Sequence, residues 1–332
     1  MHSLLKDVMV SLGMGMVVPG ILLNFAVALL EGEPQLPVLA EEISLEESVP
    51  TEGTAAPEAV ALPMRLRKND GTTEEMDMDT YLVGVVLAEM PAYFEEEALK
   101  AQSVVARTYT RKAYVTGGKH GDGSICTKSS CCQAYITESD YLSQGGTQEN
   151  VDKIRAAVLA TSGYVLTYEG QLIEATYFSC SGGSTEDAVA VWGTDFPYLR
   201  AVSSPGEEDA TYYTDTISFT REQLESALDV SLSGSSDSWF SGLTYTAGGG
   251  IDSATIGGQV FGGTQLRSLL GLRSTAFSVM PGENCVTITT QGFGHRVGMS
   301  QYGADAMAAS GSTYPEILQH YYQGTTLEQV KN

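Results

Sequence analysis

A chain of 332 residues with 42% hydrophobic content is long enough to bury one large core or two small ones, which excludes a disordered or fibrous protein. Its 41 acidic against 18 basic side chains give a net charge of -23, so nucleic acid and other partners held by phosphate neutralisation are repelled over most of the surface. Neutral glycans and cationic partners remain open, and five cysteines, an odd number, cannot all enter a disulfide framework.

The run from Val8 to Leu30 carries no charge and is long enough to cross the hydrocarbon core of a bilayer. Lys6 precedes it and Glu31, Glu33, Glu41 and Glu42 follow it, so the positive-inside bias leaves the N-terminus in the cytoplasm and the rest outside. Ala26-Val27-Ala28 offers the alternative of a cleaved signal peptide. Both readings export the chain. Residues 31–62 are rich in Glu, Pro, Ala and Thr and too poor in large apolar groups to offset the entropy of ordering, so they read as an extended acidic tether. The expected organisation is a cytoplasmic stub and anchor over 1–30, a linker over 31–62, and a single folded unit over 63–332.

That unit opens on two short runs around Asn69-Asp70-Gly71, a hairpin signal. Asp79 can cap a helix running through Met90, with Leu82, Val83, Val86 and Leu87 at helical spacing and Pro91 to end it. A second helix is expected from Glu95 to about Val115, burying Ala98, Ala101, Val104, Val105, Thr108 and Tyr109. Residues 116–149 form a Gly- and Ser-rich stretch holding three of the cysteines, and so long a loop is usually functional or metal-stapled. Further helices are expected over 151–161, 220–230, 265–272, 301–309 and 314–322. Strands are expected over 164–168, 172–178, 251–261, 276–280 and 285–290. Helices and strands in mixed order without a βαβ rhythm predict an α+β fold of helices and antiparallel strands.

Three segments stand out: YLVGVVLAEMP (Tyr81 to Pro91) with KAQSVVARTY (Lys100 to Tyr109), YFSCSGGSTEDAVAVWGTDFPYLRAV (Tyr177 to Val202), and GFGHRVGMSQYGADAMAASGSTYPEILQHYY (Gly292 to Tyr322). In this order and at these separations they closely resemble the stage II sporulation protein D family, whose members are lytic transglycosylases of the bacterial cell wall. The resemblance runs from about Pro63 to the C-terminus. It implies a peptidoglycan lyase that cleaves the β-1,4 bond between N-acetylmuramic acid and N-acetylglucosamine during engulfment. The anchor and tether fit that layout, with the enzyme between mother cell and forespore. A cell-wall amidase and a membrane partner are the implied associates. Related domains also resemble amidase enhancers, so a non-enzymatic wall-binding module is the alternative.

Glu89 ends an otherwise apolar helix beside Met90 and Pro91, where partial desolvation would keep a carboxyl protonated as a general acid. Hydrolytic glycosidases generally need two carboxyls. A lytic transglycosylase needs one, because the muramyl 6-hydroxyl is the nucleophile and lies within the substrate. The alternative for Glu89 is a solvated helix end. Arg107, among small apolar residues, calls for a partner: it could orient Glu89 or a glycan carbonyl, or form a helix-surface ion pair. The resemblance points to Arg200 for a lactyl or stem carboxylate. Ser179 and Ser181 flank Cys180 in a run of small residues that suits close approach of a sugar, and equally an ordinary turn; Cys180 itself reads as a buried structural residue. The resemblance also implies Gln301 and Tyr302 for glycan hydrogen bonds, with His295 in support. Arg296, a bulky cation among small residues, has no role assigned at this level.

His120, Cys126 and Cys132, with Cys131 adjacent, form an N/S set suited to a structural zinc, the fourth position left to water or another side chain. A disulfide from Cys126 to Cys131 or Cys132 is the competitor in an exported chain. The His and Cys spacing also resembles a zinc-carrying branch of the family. A zinc peptidase or amidase is disfavoured, since no HExxH pattern occurs among four histidines.

Overall fold

The computed structural model describes residues 63–330. The expected anchor, signal-peptide site and tether lie outside the described residues; among those described, no helix is long and apolar enough to cross a membrane. The fold is α+β, mostly antiparallel, with two short parallel pairings (Leu66 with Ile125, Met299 with Tyr177) that the sequence did not suggest.

The chain enters on the expected hairpin, Pro63–Arg67 against Thr73–Asp77, and passes directly into helix α1, Met78–Glu89. Asp77 rather than Asp79 caps it, accepting from Thr80 N at 2.9 Å. Asp79 is turned inward and buried. Helix α1 is apolar on almost every face, burying Tyr81 through Leu87 without a break, as a helix at the centre of a core must. It stops where Met90 turns extended (φ -125) before Pro91. Helix α2, Glu96–Thr116, lays its small residues on α1 and ends at left-handed Gly117. The long loop is not bare. It carries α3, Glu138–Ser143, capped by Thr137, before Thr147 caps α4, Gln148–Ala160.

The strand Tyr164–Tyr168 pairs with Thr326–Gln329 near the C-terminus. The expected strand over 172–178 is split: Gln171–Leu172 closes a turn on Tyr164–Tyr168, whereas Tyr177–Phe178 leaves to pair with Met299–Ser300. A short helix, α5 (Ala188–Trp192), follows.

A second hydrophobic core then forms from residues of 214–291. The strands Thr214–Thr220, Cys285–Gln291 and Phe277–Gly282 make one antiparallel sheet. Phe240–Tyr245, Ile251–Ile256 and Gln259–Gly262 make another. Helix α6 (Arg221–Leu228, with a Thr220/Gln223 capping box) and α7 (Gly263–Leu269) complete it. Leu224, Trp239, Ile256, Leu266, Val286 and Ile288 are its centre. This stretch leaves and rejoins the first core at one place, where Gly292 N donates to Tyr213 O at 2.8 Å. The chain then returns to the first core as α8 (Gln301–Ala309, capped by Ser300) and α9 (Tyr314–Tyr321).

Candidate active site and metal cluster

Two helix ends and one loop build the cleft. Helix α1 delivers Glu89 at its C-terminus. The parallel pairing of Met299–Ser300 with Tyr177–Phe178 brings the start of α8 beside Ser179, and Tyr302 N donates to Ser179 O at 3.1 Å. Gly298 permits this approach: at φ 85 it lies against Thr176, and a Cβ there would sit 2.0 Å from Thr176 O.

Glu89 is half-buried, and its Oε1 accepts from Ala134 N at 2.7 Å. Burial raises its pKa above the ordinary carboxyl range, against the Ala134 N–H and the nearby Tyr177 hydroxyl and Gln301 amide, which favour the anion. Tyr177 donates to Gln133 Oε1 at 3.1 Å. Gln301 is buried, and its Nε2 has no hydrogen-bond partner, which leaves a donor free beside the carboxyl.

Glu89, Ser179 and Gln301 are shared by two hollows of about 850 and about 300 Å³. The larger is walled by Tyr109, Tyr177, Trp192, Phe293 and His295 among others, the smaller by Pro91, Phe94, Tyr212 and Tyr302 among others. The carboxyl therefore stands at a junction with room on both sides. Glu174 also lines the larger hollow, but its Oε1 is held by Lys112 Nζ at 2.7 Å.

Of the residues expected at the site, Glu89, Ser179, His295, Gln301 and Tyr302 come together in the cleft. His295 lies between Phe178 and Trp192, and its Nδ1 accepts from Val297 N at 3.1 Å, which fixes the neutral ring with its proton on Nε2. Burial, reinforced by the charges of Arg267 and Lys119, pushes its pKa down to about 4.

Three expected residues lie elsewhere. Arg107 is 0% exposed: Nη2 bonds Asp79 Oδ1 at 2.8 Å and Val158 O at 3.1 Å, and Nη1 bonds Thr161 O at 2.7 Å. It ties α2 to α1 and to the last carbonyls of α4, and it touches neither Glu89 nor the cleft. Ser181 is fully buried and bonds Glu207 through both its hydroxyl (2.8 Å) and its N–H (2.6 Å). Cys180 bonds the same carboxylate, in keeping with a structural thiol. Arg200 pairs with Asp195 at 2.8 Å on the surface and is not part of the cleft wall.

Arg296 is a buried pin. It bonds Glu186 Oε1 (3.0 Å) and the carbonyls of Ser181 (2.7 Å), Ser184 (2.7 Å) and Gly248 (2.8 Å), and Glu186 also accepts from Gly250 N at 2.9 Å. This network joins the first core to the loop between two strands of the second.

His120, Cys126, Cys131 and Cys132 present ligand atoms all within 4.8 Å of one another. His120 Nε2 lies 3.5 Å from Cys132 Sγ and 3.8 Å from Cys131 Sγ, and the two sulfurs are 3.8 Å apart. Zinc–sulfur bonds of ~2.3 Å and zinc–nitrogen bonds of ~2.0 Å place tetrahedral ligand atoms ~3.5 to ~3.8 Å apart, so the set fits such an ion. Cys131 supplies the fourth ligand that the sequence left to water or another group. The Cys131 and Cys132 sulfurs are too far apart for a disulfide, and Cys126, Cys131 and Cys132 are all free. The cluster abuts the cleft: Cys132 lines the larger hollow, and Ala134, two positions on, donates to Glu89.

Sequence reasoning missed Ala134, Tyr177, Trp192, Lys119 and Arg267 as cleft residues. Tyr177 and Trp192 stood inside the second motif; the contribution of Ala134 is a backbone N–H, which leaves no mark in a sequence.

The cleft thus has one partly desolvated carboxyl at its waist, aromatic walls and an adjoining cluster of one histidine and three cysteines. Comparison with known proteins supplies the class. The family model described as "Stage II sporulation protein" matches residues 67–168. Stage II sporulation protein D of Bacillus subtilis (strain 168) is 38% identical over 276 residues, covering 82% of this chain and 80% of the relative. Its namesake from Bacillus amyloliquefaciens is 37% identical over 291 residues, covering 86% and 84%. The B. subtilis protein named "Amidase enhancer" is 30% identical over 305 residues, covering 74% of this chain and 40% of the relative. The chain belongs to the stage II sporulation protein D family.

Proposed function

We propose that the chain is a lytic transglycosylase that cleaves the β-1,4 bond from N-acetylmuramic acid to N-acetylglucosamine in peptidoglycan glycan strands during sporulation. The observation that carries this reading is the carboxyl of Glu89, desolvated and placed where two hollows meet. In its protonated form it gives its proton to the glycosidic oxygen as the C1–O bond breaks. The muramyl 6-hydroxyl attacks C1, and its proton passes to the Glu89 carboxylate, so no water is consumed and a 1,6-anhydro end results. The Ala134 N–H, with the free Gln301 amide beside it, stabilises the anion formed midway. One carboxyl suffices, in keeping with Glu174 being held by Lys112.

The test is mass spectrometry of products from the full chain and from Glu89→Gln on glycan strands with and without peptide stems. Anhydro-muramyl ends from the parent, reduced ~100-fold or more in the variant, are expected for loss of an acid/base. Absence of such ends from the parent overturns the reading and favours the second one, a binding module that stimulates an amidase, which rests on the name "Amidase enhancer" of a relative. Stimulation of a purified amidase by Glu89→Gln as strong as by the parent would establish that role.

We also propose that the cluster holds zinc, through His120, Cys126, Cys131 and Cys132. Bound there, the ion supplies a structural staple; elemental analysis of the purified chain tests its identity. The folded part is proposed to act outside the cytoplasmic membrane on its N-terminal anchor, in the space between mother cell and forespore, beside a cell-wall amidase and a membrane partner of engulfment. Protease accessibility at the tether in intact sporulating cells checks its side of the membrane.

A further inference from the structure

Arg267, in the last turn of α7, belongs to the second core yet lines the larger hollow with Glu89 and His295. Among the described residues it makes no ion pair, although the chain carries 41 acidic side chains. Burial alone acts on its guanidinium, lowering its pKa with no carboxylate nearby to restore it. The other charged groups lining this hollow have hydrogen-bond or ion-pair partners. Glu89 holds Ala134 N, Glu174 holds Lys112, and Lys119, on the rim of the same hollow, is bonded to Cys131 O.

Such an arrangement costs stability in the free protein, because a guanidinium is partly desolvated without compensation. It is the expected form of a site whose counter-ion arrives with the ligand. The neighbouring surface says what carries that ion. Trp192 is 42% exposed and Phe293, although Arg273 and Tyr212 pack against its ring, is 39% exposed, and both line the same hollow; exposed aromatic surface beside a cation suits a sugar ring bearing an acid. Neutral His295 adds no competing charge, and Lys119 adds a second positive one.

We propose that Arg267, assisted by Lys119, is the specificity-determining residue of the cleft and binds a carboxylate carried on the glycan strand. The inference rests on the reading of the cleft as a glycan site. Two sources share this chemistry, the lactyl carboxylate of a stem-free muramyl residue and a carboxylate of an attached peptide stem.

The experiment measures binding, without turnover, of the full chain carrying Glu89→Gln to three probes: stem-free strands, the same strands with their lactyl carboxyls converted to neutral amides, and stem-bearing strands. Amidation is expected to weaken binding of stem-free strands ~10-fold or more, as for loss of a charged hydrogen bond. Adding Arg267→Gln should erase that difference, and Arg267→Lys should restore part of it. Preference for stem-bearing over stem-free strands, lost in Arg267→Gln, assigns the carboxylate to the stem. Equal binding of acid and amide forms together with no effect of Arg267→Gln on stem-bearing strands overturns the inference and leaves the cleft reading standing. No binding of any strand overturns both.

Discussion

Glu89 illustrates how far a single residue can be read before a structure is known. The apolar stretch ahead of it signalled desolvation correctly, and burial does raise its pKa. A carboxyl whose pKa is higher in the fold than in the unfolded chain contributes fully to stability below the unfolded value, and that contribution is lost as pH rises through the folded one. Glu89→Gln removes this loss, so urea titrations should show the variant more stable than the parent at neutral pH and equal to it in acid. A variant less stable than the parent at neutral pH would mean that the carboxylate, not the acid, is the form the fold prefers. Arg107 shows the opposite case. An arginine among small apolar side chains announced a partner, but the partner, Asp79, lies 28 positions earlier and had been read as a helix cap. Which of two nearby aspartates caps and which turns inward is decided by packing, not by the local sequence. Cys131 was read only as the neighbour of Cys132 or a disulfide partner of Cys126; the turn formed where Cys131 N and Cys132 N both donate to Lys128 O lets both sulfurs face His120.

Helices were more legible than strands. The C-terminal helix α8 falls on the expected bounds, because a Ser cap and a run of alanines are local signals. The second core was not anticipated as a separate body. Its apolar side chains come singly from short strands, and its sheets close through pairings such as Ile217 with Ile288, which no local window contains. The loop between α2 and α3 carries the histidine and three cysteines of the cluster. Gly84, in the middle of α1, shows how tightly that loop is then seated. A Cβ there would meet the Tyr135 ring at 2.4 Å and Ile136 O at 2.5 Å, so the segment carrying Ala134 runs against bare helix backbone. Chelation of the proposed zinc should loosen residues 119–134 and with them the Ala134 bond to Glu89. Hydrogen exchange is expected to rise across that segment on treatment with a zinc chelator, with a fall in turnover on the same stem-free strands. Unchanged exchange would show that the protein packing alone holds the loop.

At the scale of the whole molecule, the two cores are joined by the Arg296 network. The residue is 2% exposed and sits at φ 64, left-handed backbone that costs ~1 kcal/mol for a non-glycine residue; its four hydrogen bonds, three of them buried, outweigh that. Arg296→Met strands Glu186 without its cation and should cost ~3 to ~5 kcal/mol, read as a lower urea midpoint with little change in slope. A midpoint within error of the parent would show the two cores to be held by their apolar contacts instead. The stretch 214–291 nevertheless begins and ends at one bonded pair, Tyr213 and Gly292. Glu89, its hydrogen-bond donors and the thiolate cluster all lie outside it, whereas Arg267 lies within. The proposed acid and the proposed recognition residue thus stand on separate lengths of chain that meet at the cleft and at the Arg296 network. Evolution could exchange the inserted length, as one changes the bit of a tool and keeps the handle, and alter what the cleft accepts while leaving the Glu89 carboxyl and its donors untouched.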